Sequence, residues 1–403
     1  MENTHKTTIG HTIGAIALVA GTCVGGGMLA LPVDTGAIGF YPSLLSLFIA
    51  WIFMTITGLF LVESSLWLER DAHFMTLSSR LLGKVGKYIC VFFFLFMGYG
   101  SLIAYASGGS ILLVSFCDSV FGLTVSRVEA CAIFSAILGL VIYFGTQLIG
   151  KINTILVVGM IISYFAIVGG GLAEVKGVML TRANYTGMAL VFPLMLATFS
   201  YQMIVPSLTF YLNRDPRALK KAIVIGTSLP FIAYAIWELI VLGTVPYEGA
   251  MGLKHAFTQG FSATEPLKHY VSMGWLSVVA EMFAFFAIVT SFLGIGLGLF
   301  DFLSDLTKIK KKGWGKLALI LLAIIPTIFF AILFPNAFMT ALEISGGFGD
   351  AILSIILPVL FIWIGRYYKR YESVYIVGGG RFALSVTALF AVFVLSIQIY
   401  KLI

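Results

Sequence analysis

Seven residues, Gly21-Thr-Cys-Val-Gly-Gly-Gly27, put four glycines inside a long apolar run. Each glycine costs a helix about 1 kcal/mol relative to alanine, so a helix passing through this stretch is expected to open. An opened helix leaves free carbonyls at the end of its first half and free amides at the start of its second. In apolar surroundings such groups persist only where they line a cavity or hold a ligand. The donors at Gly26 and Gly27 suit an anion, and the carbonyls from Ala20 to Cys23 suit a cation. Reinforced by the dipole at the half-helix N-terminus, these two poles fit the carboxylate and ammonium of a small zwitterion. Gly21 and Gly25 also match G-x-x-x-G, a packing pattern, but three adjacent glycines exceed what close packing needs. Gly21, Thr22, Cys23, Gly25, Gly26 and Gly27 are therefore candidate binding residues.

Composition says what scaffold must hold them. Of 403 residues, 60% are hydrophobic and 11% charged, with mean hydropathy +1.03, whereas soluble domains have about a quarter of their residues charged. A helix needs about 20 apolar residues to cross the hydrocarbon core. Eleven runs qualify, near 12–38, 42–65, 88–117, 127–150, 152–173, 186–212, 222–246, 275–302, 316–335, 338–364 and 382–402. The expectation is one all-α integral membrane domain over residues 1–403, with nothing left over for a soluble domain. The first run is too long and too soon followed by the second to be a cleaved signal peptide. With the N-terminus inside, Lys6, Arg70, Arg80, Lys84, Lys87, Lys151, Arg214, Arg217, Lys220, Lys221, Lys308, Lys310, Lys311, Lys312, Lys316, Arg366, Lys369, Arg370 and Arg381 fall on the inner side. That is 19 of the 25 basic residues, so the positive-inside rule predicts a cytoplasmic N-terminus and an outer C-terminus.

Transporters built from inverted repeats carry a broken helix at the same place in each half. Five runs after the first comes the sixth, where Pro193, Pro206 and the cluster Thr198, Ser200, Tyr201, Gln202 interrupt an apolar segment. Runs one to five (12–173) and six to ten (186–364) are expected to pair as repeats with breaks in helices 1 and 6, leaving 382–402 as an extra C-terminal helix.

Five segments carry a family resemblance: VAGTCVGGGMLALP (19–32), YLNRDPRALKKAIVIGTSLP (211–230), TSFLGIGLGLFDFLSDL (290–306), FPNAFMTAL (334–342) and GGGRFAL (378–384). In this order and spacing the chain resembles the bacterial aromatic amino acid permeases for tyrosine and tryptophan, within the amino acid, polyamine and organocation superfamily. The resemblance implies a five-plus-five inverted-repeat fold in the bacterial inner membrane, alternating access, and proton-driven import of tyrosine or tryptophan. The sixth run reads FSYQMIVP, without the small flexible residue the family tends to have, which leaves Ser200 to serve that role. Tyr99 and Phe199 are the expected contacts to an aromatic side chain, from runs that also hold Gly98, Tyr105, Gly108 and Gly109.

Coupling needs polar or ionisable groups inside the membrane. Glu281 is the first candidate to carry a proton and Asp350 the second; Glu63, Asp301 and Asp305 read as solvated helix ends. Thr290 and Ser291 offer paired hydroxyls facing the first break if the implied fold holds. Superfamily members that use sodium bind it with such groups, so sodium stays open beside the proton. A serine or threonine substrate is the alternative within the same fold.

Other classes fit less well. The net charge of +7 does not point to nucleic acid, because the basic residues sit in short loops and not on a soluble basic face. Lys308–Lys316 suits lipid headgroups. Cys23, Cys90, Cys117 and Cys131 show no C-x-x-C spacing. His5, His11, His73, His255 and His269 lie in loops or at run ends without metal-ligand spacing. Gly226-Thr-Ser228 therefore has no base to make it a hydrolase turn, and no metal or cofactor is expected. No repeated filter or charged ring suggests a channel. The segment 247–274, longer than a turn, is expected to pack over the outer vestibule as a gate.

Overall fold

A computed structural model describes residues 8–68 and 73–403; His5, Lys6 and Arg70 lie outside them. Among the described residues every regular element is a helix, and there is no strand. Among the described residues ten helices are long and apolar enough to cross a membrane, and a bent pair makes an eleventh span.

That pair is the first span. Helix α1 (Ile9–Cys23) stops at the glycines, and α2 (Gly26–Thr35) continues after a bend of 51°. Next come α3 (Phe40–Leu66), α4 (Phe74–Phe121), α5 (Arg127–Phe144), α6 (Thr146–Gly171) and the short α7 (Gly177–Leu180). The sixth span is also interrupted. After a 3-10 turn, α8 (Phe192–Thr198) ends at Phe199 to Tyr201, and α9 (Val205–Tyr211) resumes beyond a second 3-10 turn. The remainder is α10 (Pro216–Thr244), two short helices α11 (Leu253–Gln259) and α12 (Thr264–Tyr270), α13 (Gly274–Thr307) and α14 (Gly313–Leu333). The tenth span joins α15 (Ala337–Ile344), a π-helical stretch (Ser345–Ile356) and α16 (Leu357–Trp363), and α17 (Gly380–Leu402) closes the chain.

Several boundaries differ from the expected ones, because helices run past the hydrocarbon into charged sequence. Helix α10 begins at Pro216, not near 222, with the Asp215 side chain accepting from the amides of Arg217 and Ala218, a standard N-cap. Helix α4 begins at Phe74, not near 88, and bends at Gly83 (φ 71°). The fourth and fifth spans divide at Gly145 (φ 102°), a conformation that favours glycine; Lys151, read as loop, lies on α6. The last helix is no loose appendage. Phe390 of α17 stacks on Phe53 with ring centroids 4.0 Å apart, and Gln398 lies against Gly347.

One end of the bundle gathers the N-terminal end of α1 with the turns after α3 and α9. Arg214 donates to the carbonyls of Leu66 and Leu68, and His11 meets Tyr211 edge to face at 5.5 Å. Arg366 Nε donates to Glu63 Oε1 at 2.6 Å. Glu63 is fully buried, so it is an ion-paired core residue and not the solvated helix end expected; Asp301, 2.8 Å from Lys311 and about half exposed, is such an end.

Candidate functional site

The two breaks are held together by one side chain. Tyr234 Oη, from α10, lies 2.7 Å from the carbonyl of Cys23 at the end of α1 and 2.9 Å from that of Thr198 at the end of α8. Helix α2 starts with no side-chain cap of its own. The Gly26 amide instead donates to Ser291 Oγ of α13 at 3.1 Å. A β-carbon on Gly25 would overlap Ser291, and one on Gly26 would overlap the Tyr105 ring, so close approach, not backbone freedom, requires glycine at both.

Beside the breaks lies a cavity of about 700 Å³, within the range of roughly 300–1,000 Å³ of small-molecule sites. One face of α1 lines it: Gly14, Ala17, Leu18, Gly21 and Thr22, at the i, i+3, i+4, i+7 spacing of a single helical stripe. Opposite stand Phe94, Met97, Gly98, Ser101 and Tyr105 of α4, and Thr290, Ser291, Gly294, Ile295 and Gly298 of α13. Asn153, Val157 and Met160 come from α6, Met203 and Ile204 from the second half of the sixth span, and Ser345 and Asp350 from the tenth. Asp350 is 1% exposed, and its Oδ1 accepts from Ser200 Oγ and Ser354 Oγ, each at 2.6 Å. A carboxyl group thus lines the same cavity as Cys23 at the carbonyl end of α1 and Gly25 and Gly27 at the amide end of α2.

The cavity runs toward the N-terminal end of α1 and is sealed in the other direction. Every residue of α2 is buried, while Ala17, Leu18, Gly21 and Thr22 are exposed. The seal is the segment expected to be a gate: the Ala263 amide donates to the Leu29 carbonyl at 2.9 Å, and Leu253 fills the space above Gly36. Arg182 donates to the carbonyls of Gly36 and Ala37 at 3.0 and 3.3 Å, with its guanidinium 3.9 Å over the Tyr247 ring.

Of the residues singled out in the sequence, Gly21, Thr22, Cys23, Gly25, Gly27, Ser200, Thr290, Ser291 and Asp350 line this cavity. Gly26 sits just behind it, under Tyr105. Five others lie elsewhere. Tyr99 Oη donates to the Leu322 carbonyl of α14 at 2.8 Å; the α4 stripe 94, 97, 98, 101, 105 turns Tyr99 aside and brings Tyr105 to the site. Phe199 is fully buried, edge to face on Tyr234 at 5.3 Å. Tyr201 Oη and Gln202 Nε2 both donate to the Met54 carbonyl, at 3.0 and 3.2 Å, fastening the sixth-span break to α3. Glu281, expected to carry a proton, is 41% exposed and 2.6 Å from Lys268. It falls opposite the 290, 294, 298 stripe of α13 and ties α12 to that helix. Burial works to lower the Lys268 pKa, but its hydrogen bonds to Glu281 and Glu265 outweigh that and raise it.

Tyr234, Ser101, Asn153 and Ser345 were not foreseen. For Asn153 the signal was present, a lone amide in an apolar run; for Tyr234 there was none, since its partners come from two distant breaks. Thr290 Oγ1 donates to the carbonyls of Phe286 and Ala287 in its own helix, at 2.8 and 3.1 Å. No group of three or more His, Cys, Asp or Glu side chains placed to hold a metal occurs among the described residues.

A cavity between two broken spans of an eleven-span bundle is a carrier's arrangement, and relatives agree. The profile of the tryptophan/tyrosine permease family matches residues 8–398. The chain belongs to this family. The permease is 32% identical to the tryptophan-specific transport protein of Haemophilus influenzae, over 96% of this chain and 95% of that one. It is 30% identical to the tyrosine-specific transport system 1 of the same organism, over 96% of each, and 29% identical to the tryptophan-specific transport protein of Pseudomonas aeruginosa, over 94% and 92%. The permease is accordingly a multi-pass membrane transport protein and not an enzyme.

Proposed function

We propose that this permease imports an aromatic amino acid, tryptophan or tyrosine, by proton symport with alternating access. The observation that carries this reading is the pairing of opposite poles across one cavity. The substrate carboxylate takes the amide end of α2 at Gly25 and Gly27, where helix N-termini favour anions. The ammonium takes the last carbonyls of α1 together with Asp350, oriented by Ser200 and Ser354. The side chain occupies the apolar part of the cavity among Phe94, Met97, Val157, Met160 and Ile295, with Tyr105 at its head.

The basic residues assign the open end to the cytoplasm, so the state described here is inward-facing, with the N-terminus inside, the C-terminus outside and the segment 247–274 as the closed outer gate. Spans one to five and six to ten form the inverted repeats, with their breaks at the substrate. Thr290 Oγ1 donates to the Phe286 carbonyl of its own helix, and Ser291 Oγ accepts from the Gly26 amide.

The test is uptake of labelled tryptophan, tyrosine and serine into liposomes holding the purified protein, under a pH gradient and, separately, a sodium gradient. Aromatic accumulation under the pH gradient alone, lost in Asp350→Asn, is the expected result. Sodium-only uptake would move coupling to Thr290 and Ser291, and serine without aromatic uptake would overturn the substrate class.

A further inference from the structure

A symporter holds substrate and proton in the same state. The carboxylate that faces the ammonium, Asp350, is therefore not free to carry the driving proton, and that proton needs another place. The outer end of the bundle has one. Asp34 sits in the last turn of α2, Glu343 in α15 and Lys401 in the last turn of α17. Lys401 Nζ lies 2.9 Å from Glu343 Oε2 and 3.9 Å from Asp34 Oδ1. Both acids are more than nine-tenths buried, at 7% and 5% exposure.

Two carboxylates share one ammonium there, which leaves one negative charge over. The shortage of donors is equally definite. Asp34 Oδ2 and Glu343 Oε1 are buried with no hydrogen-bond partner, although the two carboxyl groups adjoin each other. Two ionised carboxyls have nothing to donate, and a buried acceptor without a donor costs about 1–3 kcal/mol. Lys401 is also drawn on by the Leu190 carbonyl at 3.2 Å. Glu238 of α10 lies beside Asp34, with both its oxygens 2.8 Å from the one hydroxyl of Thr35. One proton between Asp34 and Glu343 supplies the missing donor and leaves one carboxylate for Lys401.

Resting on the proton-symport reading above, we propose that Asp34, Glu343 and Lys401 form the site of the coupling proton, which must be filled for the outer end of α2 to seal over a loaded cavity. The three residues come from the half-helix that has to leave when the outer side opens and from two spans it closes against. Opening α2 carries Asp34 away from Glu343 and Lys401 and exposes the emptied carboxylates to outer water for loading, whereas a bound proton leaves toward the cytoplasm through the cavity, which Leu342 and Ser345 on either side of Glu343 line. By linkage, whatever proton binding contributes to closure, closure contributes to proton binding. The eleventh helix, outside both repeats, thereby gains a role as the carrier of the cation that centres the pair.

The test uses the full chain in liposomes with a trapped pH dye, comparing wild type with Asp34→Asn and Glu343→Gln. Counterflow of labelled tryptophan or tyrosine, which needs no driving ion, should persist in both variants. Accumulation under an imposed gradient of about one pH unit, up to about tenfold for a one-proton symporter, should fall to about equality, and substrate-linked acidification should vanish. Glu343→Asp, which keeps a titratable group, should restore part of both. Accumulation and acidification equal to wild type in either amide variant would overturn the proposal. So would failure of both amide variants to fold, because an amide has the shape and the donor of the protonated acid. Wild-type protein that moves no aromatic substrate would instead sink the functional reading, and wild-type uptake indifferent to pH would sink proton coupling; proton-driven uptake in wild type and variants alike removes this inference alone.

Discussion

Tyr234 has one hydroxyl hydrogen and two carbonyls within reach, those of Cys23 and Thr198 at 2.7 and 2.9 Å. Both carbonyls end a half-helix, so neither has an intrahelical donor, and the tyrosine holds the two breaks at a set separation. Tyr234→Phe keeps the ring on Phe199 but removes the donor, which by the cost of an unpaired buried acceptor should destabilise the protein by about 1–3 kcal/mol. The expected outcome is a lower thermal-unfolding midpoint and a slower initial rate of substrate exchange, read by a melting scan in detergent and by counterflow in liposomes. A melting point unchanged from wild type would remove the bridging role. Residues of this kind were the least legible. Gly25 and Gly26 could be read as a break because glycine's weakness in a helix is local, but the need for glycine there comes from Ser291 and Tyr105, which are distant in sequence.

Among the elements, α1 and α2 divide one span into an exposed and a sealed half. Arg182, in the connection before the sixth span, donates to the carbonyls of Gly36 and Ala37 just past the end of α2. A cation at a helix C-terminus contributes about 0.3–2 kcal/mol, and Arg182 adds a stacked contact with Tyr247. Arg182→Ala should therefore loosen the outer gate and raise outward exposure of α2 by up to roughly thirtyfold, the equivalent of that energy. The measure is the rate at which a cysteine at Leu31 is modified by an impermeant reagent added from outside; a rate equal to that with Arg182 intact would show that the cap does not hold the gate. Helix existence was legible from apolar run length. Helix ends were less so, because α4 and α10 carry charged N-terminal segments beyond the hydrocarbon, where run length has nothing to report.

For the whole molecule, the exposed part of the first span at Ala17, Leu18, Gly21 and Thr22 lines the cavity, while α2 is buried. In a background with the four native cysteines replaced, Thr22→Cys should react with an impermeant maleimide from the cytoplasmic side, and bound tryptophan or tyrosine should protect it. Met28→Cys, on the sealed half, should stay silent from that side. Labelling of position 22 from outside alone would reverse the assigned topology.

The amino-acid sequence by itself determined the solvent, the number of spans, the broken first span and the family, because these depend on composition, run length and short contiguous motifs. Periodicity could have gone one step further and chosen Tyr105 over Tyr99, since both lie on one helix whose stripe at 94, 98, 101 and 105 is visible in the sequence. Only the tertiary structure decided which polar groups meet. Glu281 and Asp350 are both carboxyls in long apolar helices, yet the rotation of α13 sends the first to Lys268 at the protein surface, and the π-helical tenth span turns the second to Ser200 at the sixth-span break. Asp34, Glu343 and Lys401, from spans one, ten and eleven, share a site for the same reason: helix packing is nonlocal, and one turn of a helix is enough to exchange the core for the lipid.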